Sequence, residues 1–143
     1  MTDRTATTTW TGDLATGTGT VTLDTSKAGG FTVSWPSRAA EANGLTSPEE
    51  LIAAAHSSCY SMQFSALLTD AGFPPERIET SARVSFGPAG DGFAISGIAL
   101  TVRAAVPGAD TQVFARLAEQ AKQVCPVSAA LTGTGITLDA APA

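Results

Sequence analysis

The chain carries two cysteines, Cys59 and Cys125, and a single histidine, His56. A cysteine can be an inert small apolar group, a metal ligand, or, as the thiolate, a nucleophile and redox centre. Zinc is the poorest fit, because Cys59, Cys125 and His56 make only three ligands and no Cys-x-x-Cys spacing is present. His56 lies three residues before Cys59, on the same side of any helix that holds both. Ser57, Ser58 and Tyr60 make the surroundings of Cys59 less than purely apolar. Cys125 stands directly before Pro126, where a helix ends and a side chain can face a cleft instead of the core. These residues leave two readings open, a pair of core cysteines or a redox pair.

The elements that must hold them can be read in part. Ser47-Pro48-Glu49-Glu50 offers an N-cap serine, a proline at the first helical position and a glutamate three residues after the cap, the pattern of a capping box. Both acids suit the positive end of the helix dipole. The helix is expected from Pro48 to about Asp70, ended by Gly72 and Pro74. Its body has almost no charge and is apolar or small nearly all round, so it is expected to be a long helix buried on most sides. The small residues Ala53 to Ser58 would let another backbone come close. Burial in such a helix would ordinarily raise the Cys59 thiol and leave it inert.

Upstream, Thr7 to Gly12, Gly17 to Asp24 and Phe31 to Trp35 read as strands of a β-meander. Pro36 to Thr46 reads as a long patternless connection that carries Arg38. Downstream, Ile78 to Phe86 and Phe93 to Val106 read as two strands joined by a hairpin turn over Gly87 to Gly92. Asp110 caps a second helix that ends at Cys125. A turn at Val127 to Leu131 leads to a last strand, Ile136 to Leu138, and the tail Ala140 to Ala143 is expected to fray. The order strand-strand-strand-helix-strand-strand-helix-strand is an α+β pattern, and a length of 143 residues favours one domain over residues 1–143.

The net charge of −5 and the lack of any basic run exclude a nucleic-acid footprint. No apolar run approaches the roughly 20 residues of a membrane span. The polar stretch from Met1 to Thr9 has no signal-peptide character, so a cytoplasmic location is expected, where structural disulfides are rare. Charged residues make up only 15% of the chain, which points to surface covered in an oligomer.

At the level of motifs, Ser47 to Met62, with Ala53-Ala54-Ala55-His56-Ser57-Ser58-Cys59, resembles the peroxidatic helix of the OsmC/Ohr family of organic hydroperoxide reductases. Leu67 to Phe73, Gly92 to Ile95, Ala105 to Gly108 and Ala121 to Ser128 resemble the same family in the same order, so that the likeness runs from about Thr9 to Asp139. The resemblance implies an OsmC-like fold, an antiparallel sheet with a long buried central helix, in an intertwined homodimer. It implies that Cys59 is the peroxidatic and Cys125 the resolving cysteine, that Glu49 is the active-site glutamate and that Arg38 is the activating arginine. The segment Gly12 to Gly19 holds no arginine, which favours the OsmC-like branch over the Ohr branch.

The chemistry this implies needs no cofactor and no metal. Arg38 would stabilise the Cys59 thiolate, with Glu49 holding the guanidinium through a bidentate pair. The thiolate would attack an organic hydroperoxide, the sulfenic acid would condense with Cys125, and an external dithiol, in this family a lipoylated protein, would reduce the disulfide. The competing reading is a binding module for a lipid-like ligand with a silent thiol pair. Peroxide-dependent loss of free thiols separates the two.

Overall fold

The computed structural model describes residues 1–143, which fall into two compact units, Met1–Leu51 and Ile52–Ala143.

The first unit opens with a three-stranded antiparallel meander of β1 (Thr7–Thr11), β2 (Thr18–Thr22) and β3 (Gly30–Val33), in that spatial order. Threonine and valine dominate the strands, as β-branched residues fit a pleated surface. Trp10 pairs with Gly19, and a Cβ at Gly19 would sit 2.9 Å from both the Trp10 ring and a Val33 methyl. Glycine at that position therefore lets Trp10 and Val33 close over β2. β1 is exposed along its whole length, and β2 buries only Gly19 and Val21.

The connection after β3 is not patternless. It starts with a short helix, α1 (Trp35–Ala39), capped by Ser34: the Ser37 N–H donates to Ser34 Oγ at 3.2 Å, and the Ser34 N–H donates to Ser37 Oγ at 3.2 Å. A left-handed pair, Asn43 and Gly44, then turns the chain. The long helix α2 (Pro48–Asp70) begins where the sequence places it. Ser47 accepts the Glu50 N–H at 3.1 Å, but the second half of the capping box is replaced, since the Glu50 carboxylate accepts from the Thr46 hydroxyl at 2.6 Å. The unit boundary, between Leu51 and Ile52, lies inside this helix.

In the second unit α2 buries one stripe, His56, Tyr60, Phe64 and Leu68, at a spacing of four. The opposite stripe of Ala55, Ser58, Met62 and Ala66 is exposed, so the chain by itself buries one face of the helix rather than most sides. The helix ends in a Schellman motif, with the Gly72 N–H on Thr69 O, the Phe73 N–H on Leu68 O and Gly72 at φ 91°.

A hairpin of β4 (Arg77–Ala89) and β5 (Gly92–Ala105) follows, longer than expected, because Gly87 to Ala89 stay in register with Gly92 to Ala94 and only Gly90-Asp91 turn. Next come α3 (Thr111–Val124), capped by Asp110 on the Val113 N–H, a short helix α4 (Pro126–Ala130) in place of a turn, and β6 (Ile136–Pro142). β6 pairs with β5 in parallel, so this sheet, ordered β4-β5-β6, is mixed and not antiparallel throughout. The helical crossover returns the chain to the end from which β5 starts, and a strand that follows such a crossover runs parallel to its predecessor. The tail is also not frayed: Ala140, Ala141 and Pro142 pair with Val102, Arg103 and Ala104. Ile98, Leu100, Val102 and Ala104 of β5 form a core with the buried stripe of α2 and with Phe114, Leu117, Ala118 and Ala121 of α3. No helix is long and apolar enough to cross a membrane.

Candidate functional site

Within the second unit, Cys59 sits midway along α2, and Cys125 is both the last cap of α3 and the residue that starts α4. Pro126 prevents α3 from continuing, and the kink turns the Cys125 side chain toward α2. The two sulfurs are 3.0 Å apart and both thiols are free. Cys125 is fully buried, whereas Cys59 is partly accessible.

The sulfurs sit in a polar cluster. Burial pushes the Cys59 thiol up and contact with Cys125 pushes it further, with the Val127 N–H only partly offsetting this. Burial also works to raise Cys125, but hydrogen bonds from Cys59, from the Ser128 N–H and hydroxyl and from the Val127 N–H outweigh it and bring that thiol down. His56 Nε2 lies 2.7 Å from Ser128 Oγ, and both residues are buried. Tyr60, also fully buried, donates its hydroxyl to Ala118 O at 2.8 Å.

Within the first unit, Arg38 lies in the last turn of α1 and Glu49 in the first turn of α2. Their side chains meet as a fork: Arg38 Nε donates to Glu49 Oε1 at 3.1 Å and to Oε2 at 3.2 Å, and Nη2 donates to Oε1 at 2.8 Å. The Glu49 side chain is 8% exposed and the Arg38 side chain 32%, so the carboxylate is the more deeply buried of the two. Glu49 therefore does more than cap a helix. A carboxylate in this position fixes the plane of a guanidinium.

The four residues singled out from the sequence thus form two close pairs, Cys59 with Cys125 and Arg38 with Glu49. Ser128 was missed. The available signal was Cys125-Pro126-Val127-Ser128, a cysteine before an N-terminal proline with a hydroxyl one helical turn on. No group of three or more His, Cys, Asp or Glu side chains gathers anywhere in the chain.

The family model described as OsmC-like protein matches residues 41–140. The chain belongs to the OsmC-like family. Peroxiredoxin OsmC of Escherichia coli K12 is 43% identical over 130 residues, covering 91% of this chain and 90% of that protein. The organic hydroperoxide resistance protein of Xanthomonas axonopodis pv. citri is 34% identical over 89 residues, covering 62% of this chain and 61% of the relative. Among solved structures, the organic hydroperoxide resistance protein OhrB of Bacillus subtilis superimposes with a TM-score of 0.74 at 27% identity, covering 96% of this chain and 98% of that one. This OsmC-like chain therefore has both the sequence and the α+β fold of its family.

Proposed function

We propose that this OsmC-like protein is a thiol-dependent peroxidase that reduces organic hydroperoxides, and hydrogen peroxide more weakly, in defence against oxidative stress. The observation that carries the reading is the 3.0 Å sulfur pair with one accessible and one buried partner. Relatives named peroxiredoxin and organic hydroperoxide resistance protein support the same class of activity.

In this reading the Cys59 thiolate attacks the outer peroxide oxygen, the O–O bond breaks, and an alcohol leaves with a proton. Cys59 is left as a sulfenic acid. Cys125 condenses with it, water departs and a disulfide closes before a second peroxide can overoxidise the sulfur. An external dithiol, such as a lipoylated protein, restores both thiols. Burial and the Cys125 contact both work against a thiolate at Cys59. A cation is needed to stabilise charge on the nucleophile, and the Glu49-locked guanidinium of Arg38 is assigned that task.

Glu49 and Cys59 lie on one unbroken helix, ten residues apart. In a regular helix that spacing is about 15 Å along the axis and about 80° around it, too far for both residues of one chain to serve one site. We therefore assign the guanidinium clamp of each site to the partner chain of a homodimer, with residues 1–143 acting as one functional domain in the cytoplasm.

The test is steady-state turnover of cumene hydroperoxide and hydrogen peroxide with dihydrolipoamide as donor, on the wild type and two variants. The apolar surroundings should give the organic substrate the higher kcat/KM, since each buried methylene contributes about 1 kcal/mol. Cys59→Ser should be inactive. Cys125→Ser should react once and then accumulate overoxidised Cys59. Wild-type protein that forms no Cys59–Cys125 linkage under mild peroxide would sink the two-cysteine mechanism.

A further inference from the structure

His56 is the chain's one imidazole, and the chemistry above does not use it. Its side chain has no solvent exposure, Nε2 lies 2.7 Å from Ser128 Oγ, and Nδ1 has no hydrogen-bond partner. A histidine kept only for its volume would be better replaced by an apolar residue, because an unpaired buried polar atom costs about 1–3 kcal/mol. Ser128 is itself 4% exposed and its hydroxyl also reaches the Cys125 sulfur. Cys125 has no exposure, and its Sγ is 3.0 Å from Cys59 Sγ. His56, Ser128, Cys125 and Cys59 therefore stand in an unbroken file contributed by α2 and the α3–α4 junction.

A thiol that attacks a sulfenic acid must lose its proton, and a fully buried thiol has no solvent to give it to. We propose that Ser128 and His56 form a proton relay for the resolving step, carrying the Cys125 proton inward along the 2.7 Å contact as its sulfur closes on Cys59. The proposal rests on the peroxidase reading, in which Cys59 is oxidised first and Cys125 resolves it.

The step balances with no reagent beyond solvent. With Nδ1 carrying the imidazole proton, the Ser128 hydroxyl turns from the Cys125 sulfur to donate to Nε2, which leaves its oxygen free to accept from the thiol. Cys125 passes its thiol proton to Ser128 Oγ as Ser128 passes its own to Nε2. The electron pair left on the Cys125 sulfur forms the S–S bond, and the S–O bond of the sulfenic acid breaks. The departing oxygen, on the partly accessible Cys59, takes a proton from solvent and leaves as water, while the imidazolium keeps the relayed proton until reduction of the disulfide returns it to the Cys125 sulfur. One thiol, one sulfenic acid, one imidazole and one solvent proton become one disulfide, one water and one imidazolium. Burial holds His56 below the ordinary imidazole range, so it starts neutral and ready to accept. Ser128 touches the reacting sulfur, and His56 acts through it as a positioning residue.

The two half-reactions can be read separately. Reduced protein is mixed rapidly with one equivalent of cumene hydroperoxide and quenched over time, and mass spectrometry counts dimedone-trapped sulfenic acid against disulfide. In His56→Gln and Ser128→Ala, closure should slow about 100-fold more than sulfenic acid formation does, the lower end of what a general base contributes. His56→Gln keeps an acceptor for the Ser128 hydroxyl but has no basic nitrogen, so its loss reports proton transfer and not packing. Ser128→Thr, which retains the hydroxyl, should close within a few-fold of the wild type. Closure at the wild-type rate in both His56→Gln and Ser128→Ala overturns the relay, as does equal slowing of both half-reactions or failure of Ser128→Thr to restore closure. Should His56→Gln not fold, the Ser128 pair decides alone. Wild-type protein that takes up no oxygen at Cys59 overturns the peroxidase reading and the relay with it, whereas normal oxidation with unaltered closure overturns the relay only.

Discussion

The burial of His56 can be measured apart from any chemistry. Burial lowers its affinity for a proton in the folded state, while the unfolded chain binds one near the ordinary value of about 6.5. As pH falls below 7, the unfolded state takes up a proton that the folded state binds less readily, so stability declines, and it levels off once pH drops below the folded value. The slope cannot exceed about 1.4 kcal/mol per pH unit. Urea unfolding at pH 7, 6 and 5 should show a steeper decline for the wild type than for His56→Gln, and parallel declines would show that the fold accepts the proton freely. The chain has no other histidine to confuse the comparison. At this scale the neighbours of the two cysteines left a core pair and a redox pair open, and it was the family likeness that singled out Cys59, Cys125, Arg38 and Glu49 together. The sequence could not show Ser128, because an isolated serine has no period, and its contact with Cys125 exists only once α4 has formed.

At the scale of elements, the start of α2 was legible to the residue because Ser47, Pro48 and the two glutamates act locally. α1 and α4 were not, since five residues make little more than one turn and display no apolar stripe. The extension of β6 was hidden because Ala140, Ala141 and Pro142 have poor strand propensity, and it is the pairing with β5 that holds them. The Arg103–Asp139 ion pair and the Ala143 N–H on Ala104 O add to that hold. A chain ending at Leu138 should therefore lose a few ladder hydrogen bonds at about 1 kcal/mol each and melt roughly 10 °C lower. Thermal unfolding by circular dichroism measures this, and an unchanged midpoint would mean that the tail adds nothing to stability.

At the scale of the whole molecule, much apolar surface is left uncovered by one chain. Met62 on α2 is 72% exposed, and Trp10 and Phe31 of the meander are about 40% exposed. Low charge and an open helix stripe of small residues fit the proposed homodimer, in which a second α2 would cover them. Subunit mixing tests the shared site. Glu49→Ala and Cys59→Ser homodimers should both be nearly inactive, yet refolded together they should regain activity, because one site of each heterodimer combines an intact Cys59 with an intact Glu49. Inactivity in a mixture that demonstrably contains heterodimers would mean that Glu49 serves the site of its own chain. The sequence pointed to the proposed dimer through its low charge and the family likeness, but not to the face involved, since a helix that is apolar all round reads the same whether its own chain or another covers it.

The 3.0 Å gap between the sulfurs also sets a clock. Closing the disulfide is a unimolecular event whose rate ignores how much peroxide is present, whereas overoxidation of Cys59 needs a second peroxide molecule and speeds up in proportion to it. The quotient of the two rate constants has the units of a concentration. Below that concentration nearly every turnover ends in a recoverable disulfide, and above it the protein destroys itself as it works. Any substitution that widens the gap lowers that ceiling, even if turnover in dilute peroxide looks normal.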